Sequence, residues 1–381
     1  MHINYDNYTD KAVALLSQLI STPSVSRDEK TAADIMQKHI GEMGLDPRRD
    51  ANNVWVICHD FDEAKPTILL NAHIDTVKPA ATWTRDPFKP EVFDGRLYGL
   101  GSNDCGGGLV SLLQVFDILN SRERSYNLVY LASAEEEVSG KDGFERALPQ
   151  LPPIDVAIVG EPTGMQPAIA EKGLMVVDCV AHGKTGHAAR DEGVNALYIA
   201  IDDIEWIRKH GFRKTSSLLG PTKMTVTIIK SGTQHNVIPD NCEFTIDIRT
   251  NEFYRNEYVL SYLQKHLKSE CRARSVRLSS SRIDPEHPVV RRCLSMGMNP
   301  FGSPTLSDQA LMPFPSLKLG PGESSRSHSA DEFICISEIR KAIETYVSLL
   351  DGLTIKKAQL SEVKDLNKKH TWKNYLSLVC Y

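Results

Sequence analysis

No stretch of this chain approaches the roughly 18–20 consecutive apolar residues that a membrane-spanning helix requires, so no membrane association is expected. The opening residues, Met1 to Ile20, lack a basic segment followed by an uninterrupted apolar one, and a secretory signal is not expected either. Positive charge is in short supply. The net charge is −5, and no basic cluster interleaved with aromatics precedes the final residues, which leaves no electrostatic footprint for a nucleic-acid partner. Cysteines number eight but are scattered, without a C-x-x-C pair. That spacing fits reduced thiols in a cytoplasmic protein better than a disulfide framework. Internal repeats are lacking as well.

What is present is ordinary for a globular chain: 41% hydrophobic and 24% charged residues. At 381 residues the chain exceeds the size at which one core stops growing, so two domains are expected. Periodicity predicts a helix over 8–20 and another over 26–44, with Ser26 as N-cap and Glu29 completing a capping box. From Asn53 to Glu161 strands alternate with helices, including an apolar helix over Gly107–Leu119. This alternation predicts an α/β fold with a mostly parallel sheet covered on both faces. After Gly173 the pattern changes. A strand over 174–182, a helix over 193–210, strands over 223–230 and 241–250, a helix over 254–268 and a strand over 273–279 make the βαββαβ order of a two-layer sandwich. The expected organisation is a first domain from residues 1–173 and 282–353, an inserted domain over 174–281, and a tail over 354–381. The tail carries six lysines and no arginine, has few apolar positions before Trp372, and is expected to be weakly ordered.

Five side chains of metal-ligand type are set along the first domain: His73, Asp104, Glu137, Glu161 and His328. Four follow apolar, strand-like runs, at 67–72, 96–101, 126–134 and 154–160. Side chains at the carboxyl ends of parallel strands line the crevice where open α/β sheets do chemistry. Two histidines and three carboxylates suit two divalent ions sharing one bridging carboxylate, roughly 3.5–4 Å apart, an arrangement that generates hydroxide near neutral pH. A single ion against three carboxylates would leave a net negative pocket, which is costly to bury. Mixed histidine and carboxylate ligation suits Zn²⁺, with Co²⁺ or Mn²⁺ as alternatives.

The neighbouring residues add detail. Asp75, two residues beyond His73 in extended chain, stands on the same side and can hold the imidazole tautomer. Asp104, in Gly99-Leu-Gly-Ser-Asn-Asp-Cys-Gly-Gly-Gly108, is the expected bridge. The glycine spacing is wrong for G-x-G-x-x-G and no G-K-[ST] follows, so a nucleotide loop is not expected. Glu135-Glu136-Glu137 would repel one another in a cleft unless a cation compensates, and successive residues can divide ligation and proton transfer between them. His187, Asn236 and Arg249 in the inserted domain are, taken singly, read as structural.

The motifs NAHIDTV, YGLGSNDCGGG, SAEEEVSG, VGEPTG, GKTGHAA, HNVIPD and SHSADEF, in this order over about residues 10–352, resemble the dinuclear zinc family of aminoacylases, carboxypeptidases and N-acyl-amino-acid deacylases. The phrasing GEPTGMQPAIAEKG is similar to that of acetylornithine deacetylases. The resemblance implies a catalytic domain of zinc-exopeptidase type and an inserted lid or dimerisation domain. It implies that His73 and Glu161 hold one metal, Glu137 and His328 the other, and Asp104 bridges them. Glu136 would be the general base, Asp75 would orient His73, His187 and Asn236 would stabilise the oxyanion, and Arg249 would meet the substrate carboxylate. A homodimer through the inserted domain is also implied. The chain departs from the family pattern at Gly106, where a lysine is common, and at Glu135, where an aspartate is usual.

The expected activity is hydrolysis of the amide bond of an N-acyl amino acid, foremost N-acetylornithine in arginine biosynthesis. N-acetylcitrulline or an N-succinyl amino acid is an alternative with the same chemistry. A di- or tripeptidase or carboxypeptidase of the same fold, and a non-catalytic binding protein, are the competing classes.

Overall fold

The structure, a computed structural model, describes residues 3–190 and 192–357. The expectation for the tail therefore falls mainly outside the described residues. Two compact units are present: one runs to Pro162 and resumes at Pro321, and the other is Thr163–Gly320.

In the first unit, the strands Arg48–Asp50, Asn53–Ile57, Asn127–Ser133, Thr67–His73 and Val156–Val159 lie side by side in that order. The last three are mutually parallel and the first two antiparallel, so the sheet is mixed with a parallel centre. Every residue of Thr67–His73 and Asn127–Ser133 is buried, which explains why both read as continuous apolar runs rather than alternating ones. Helices Tyr5–Ile20, Gly107–Asn120 and Ile336–Leu350 pack on one another, and Lys30–Glu42 packs on Asn53–Ile57. One glycine is decisive. A Cβ at Gly108 would lie 1.8 Å from the carbonyl oxygen of Gly160. Only glycine lets the start of the buried helix touch the strand end that leads to Glu161.

The second unit contains a four-stranded antiparallel sheet in the order Lys223–Ser231, Asn241–Thr250, Gly173–His182 and Glu270–Ala273. Burial alternates residue by residue along Gly173–His182, as expected for a sheet with one covered side. Helices Ala196–Lys209 and Asn256–His266 contribute to the same apolar core. A smaller group of strands, Ala168–Glu171, Ser281–Arg282, Phe301–Ser303 and Ser316–Lys318, holds a buried ion pair between Lys318 Nζ and Glu171 Oε2 at 2.9 Å.

Three expectations are corrected. The second helix begins at Lys30, with Glu29 at its cap and no capping-box bond. Ser26 instead donates to Asp75 Oδ2, and Glu29 turns inward to accept from Arg27 N and Asn52 Nδ2, so tertiary bonds override the local signal. Residues 96–101 are not a strand of the parallel sheet. Only Arg96–Tyr98 is extended, in an antiparallel sheet with Glu91–Phe93 and Phe333–Cys335, because Asp94-Gly95, both at positive φ, make a hairpin turn. The last strand of the inserted segment is Glu270–Ala273, three residues ahead of the expected start, because the preceding helix already ends at His266.

Candidate metal centre

Parallel pairing brings the site together. His73 is in register with Ser133, two residues before the acidic triplet, and Asn71 with Val159, two residues before Glu161. Asp104 comes from the turn Ser102–Gly106 that leads into the buried helix, and His328 from a loop 191 residues away from Glu137.

His73 Nε2 lies 3.4 Å from Asp104 Oδ1, 3.6 Å from Glu161 Oε1 and 4.0 Å from Glu136 Oε2. His328 Nε2 lies 2.9 Å from Glu137 Oε2 and 3.6 Å from Asp104 Oδ2. Asp104 thus presents one oxygen to each histidine. Ligand atoms of His73, Asp104 and Glu137 fall within 4.8 Å of one another, as do those of His73, Cys105 and Glu161. Cys105 Sγ accepts the His73 main-chain N–H at 3.2 Å, and burial pushes its thiol well up.

The electrostatics show a shortage of positive charge. Burial alone would lower the pKa of His73, but Cys105, Asp104 and Asp75 outweigh it and hold the imidazole well above its ordinary value. The hydrogen bond to Glu137 pushes His328 up to about 9. Carboxylates crowd both histidines, and divalent cations would supply the missing positive charge with the same nitrogens and oxygens as ligands. The donor set therefore fits two divalent ions.

Asp75 works differently from the arrangement that spacing suggests. His73 Nδ1 bonds to the main-chain carbonyl of Asp75 at 2.8 Å, while the carboxylate oxygen Oδ1 is 3.5 Å away. That carboxylate is occupied by the acidic turn. Oδ1 accepts the Glu136 N–H at 3.0 Å, and Oδ2 accepts the Glu137 N–H at 3.1 Å and the Ser26 hydroxyl at 2.7 Å. Glu29, wholly buried, accepts the Glu135 N–H at 3.3 Å. Each amide of the triplet is therefore tied to a buried carboxylate, and Glu135 sits at φ 55°. Glu29 is not visible as a site position in the sequence, where it reads as a cap. Glu332 is visible only as the sixth residue of the SHSADEF motif. It is buried and accepts main-chain N–H bonds from the Asp104 turn. Burial pushes its carboxyl up to about 8.

In the second unit, Gly186–His187 pairs with Val237–Ile238, and the Ala188 N–H bonds to the Asn236 carbonyl at 3.0 Å, so His187 and Asn236 are neighbours on an exposed face. His187 Nδ1 accepts the Ala189 N–H at 3.1 Å, which places the proton of the neutral imidazole on Nε2. Arg249 is held by Asp247 through Nε–Oδ1 at 2.9 Å and Nη2–Oδ2 at 3.2 Å.

Comparison with known proteins finds relatives in both sequence and fold. Acetylornithine deacetylase of Pectobacterium atrosepticum is 29% identical over 366 residues, covering 87% of this chain and 95% of that protein. Succinyl-diaminopimelate desuccinylase of Cereibacter sphaeroides is 29% identical over 270 residues, covering 66% and 71%. Among solved structures, the aminopeptidase PepT of Bacillus cereus superposes with a TM-score of 0.73 at 20% identity, covering 90% of this chain and 98% of that one. A dinuclear metal-binding peptidase of the M20 family from Bacillus subtilis gives 0.69 at 15% identity, covering 91% and 98%. Residues 69–352 match the family described as peptidase family M20/M25/M40. This chain belongs to that family and is an enzyme that hydrolyses amide bonds.

Proposed function

We propose that the chain removes the acyl group from an N-acyl amino acid, with N-acetylornithine as the substrate. The observation that carries the reading is the placement of Asp104 between the two histidines, with Glu136 Oε2 within 4.0 Å of His73 Nε2. The choice of substrate is supported by similarity across 95% of the Pectobacterium acetylornithine deacetylase. On this reading His73 and Glu161 hold one divalent ion, Glu137 and His328 the other, and Asp104 bridges them, with Zn²⁺ as the native metal. The ions would supply a Lewis acid for the scissile carbonyl and lower the pKa of a water molecule.

The chain's own residues do the rest. Glu136 takes the proton from the attacking water and returns it to the leaving amine, a role that needs a carboxylate held at fixed distance but not consumed by ligation. Asp75 provides that fixity by gripping the amides of Glu136 and Glu137. His187 with its Nε2–H and Asn236 donate to the oxyanion, for which one such donor is typically worth about 10²–10³ in rate. Arg249 is assigned to the substrate carboxylate, which must then compete with Asp247. The segment 174–281 is read as the lid and dimerisation domain. Its edge strand Lys223–Ser231 exposes Ile228 and Ile229, and the helix Ala196–Lys209 exposes Tyr198 and Ile201, a surface suited to a second copy of the chain. A monomer mass by sedimentation would remove that element of the reading. A cytoplasmic place in arginine biosynthesis follows from the substrate.

The test is amine release detected by ninhydrin from N-acetylornithine, N-acetylcitrulline, N-succinylornithine, N-acetylmethionine and a dipeptide, with metal-loaded and chelator-stripped protein. Metal-dependent turnover of N-acetylornithine supports the proposal. Turnover of the dipeptide alone discards the substrate and keeps the centre, and inactivity with two ions bound moves the chain to a binding role.

A further inference from the structure

Glu332 holds three amides of one turn. Its Oε1 accepts the N–H of Asn103 at 2.8 Å and of Asp104 at 2.9 Å, and its Oε2 accepts the N–H of Gly101 at 3.1 Å. Its own carbonyl accepts the Gly99 N–H at 3.0 Å. The residue is 2% exposed. Burying a carboxyl group beside the Asp104 carboxylate is unfavourable unless the hydrogen bonds it makes are needed.

The same turn also grips the loop that carries His328. Asn103, fully buried, accepts the Glu323 N–H at 3.0 Å and donates to the Glu323 carbonyl at 3.1 Å. Asp331 ties the loop's other end to Thr84 and Arg85. Asp104 and His328, remote in sequence, are therefore fixed to each other through the main chain. The geometry needs it, because His328 and Asp331 both sit at positive φ, 57° and 55°, which the loop would not adopt unsupported.

We propose that Glu332 is a positioning residue for the dinuclear centre, joining the bridging carboxylate to the histidine of the second ion. It touches neither substrate nor metal in this role. Its grip fixes the main chain of Asp104, so that one oxygen faces each histidine, and registers His328 against Glu137. The inference rests on the assignment of Asp104 and His328 as ligands.

The experiment is a metal titration of Glu332→Gln, Glu332→Ala and Glu338→Gln, using Zn²⁺ and a competing chromophoric chelator. Thermal unfolding of the metal-free proteins is followed alongside. Glu338 pairs with Arg326 in the same loop and serves as the control for a merely structural loss. A glutamine at 332 can keep its carbonyl oxygen on Asn103 and Asp104 but must face the Gly101 N–H with its own NH₂. The expected order of affinity for the weaker-bound ion is wild type, Gln, then Ala, with a total fall of about 10- to 100-fold, the range for outer partners of metal ligands. Glu338→Gln, matched in thermal stability to Glu332→Gln, keeps wild-type affinity for both ions. Two outcomes overturn the proposal: both Glu332 variants binding two ions as the wild type does, or Glu338→Gln losing affinity as much as Glu332→Gln. Because no substrate is involved, a wrong substrate assignment leaves this test intact. If the wild type binds fewer than two ions, the ligand assignment fails and the proposal falls with it.

Discussion

Replacing Asp75 by asparagine separates the grip on the acidic turn from mere charge. The carboxylate accepts three hydrogen bonds, from Glu136 N, Glu137 N and Ser26 Oγ. Asparagine offers one oxygen and one NH₂. If the NH₂ takes the place of Oδ1, it faces the Glu136 N–H donor to donor. In place of Oδ2 it faces the Glu137 N–H but can donate to Ser26, whose hydroxyl turns to accept. Each orientation loses one main-chain bond, but the first also sets the NH₂ against His73 Nδ1, a second donor 3.5 Å from Oδ1, so the variant keeps the bond to Glu136 and leaves the Glu137 amide unpaired. A lost bond to a charged acceptor is worth about 1.5–3 kcal/mol, which is roughly 10- to 150-fold in an equilibrium. The loss should therefore appear in the affinity of the ion assigned to Glu137 and His328 more than in the proton transfer assigned to Glu136. Zinc titration against a chelator, with kcat measured at saturating metal, reads both. Ser26→Ala is the control, since it removes only the third bond and should change affinity less than about fivefold. An Asp75→Asn enzyme that binds both ions as tightly as the wild type but loses kcat would refute the reasoning.

Glu136→Ala should bind two ions by elemental analysis and lose turnover, whereas Glu135→Ala should retain turnover; the opposite result would shift the catalytic register by one residue. Lys318→Ala leaves Glu171 buried without its cation and should cost about 3–5 kcal/mol in denaturant unfolding, since both side chains are almost fully enclosed. Gly108→Ala drives a methyl group into the Gly160 carbonyl and should destabilise by about 1–3 kcal/mol, checked by the urea midpoint at unchanged slope.

Much of the candidate centre is legible without coordinates because its proposed ligands obey local rules. His73, Glu137 and Glu161 each follow a continuous apolar run, and such runs are what a buried parallel strand requires. The alternation of strands and helices likewise follows from periodicity, so the fold class and the βαββαβ order of the inserted segment could be read in advance. Local signals yield where they meet a stronger distant partner. Ser26 has the chemistry of a helix cap, yet its hydroxyl serves Asp75, 49 residues on. Arg96–Tyr98 looks like a strand leading to Asp104, but a tight turn at Asp94-Gly95 folds it into another sheet.

The residues proposed to bind metal and move protons are set out by the sequence itself, through their types and their places at the ends of apolar runs. Tertiary structure alone decided how they are held. The bonds from Glu332 to Asp104, across 228 residues, and from Glu29 to Glu135, across 106, leave no periodicity to read. A buried carboxylate gains its role from whichever amides the chain topology delivers to it, and that delivery is a property of the folded chain.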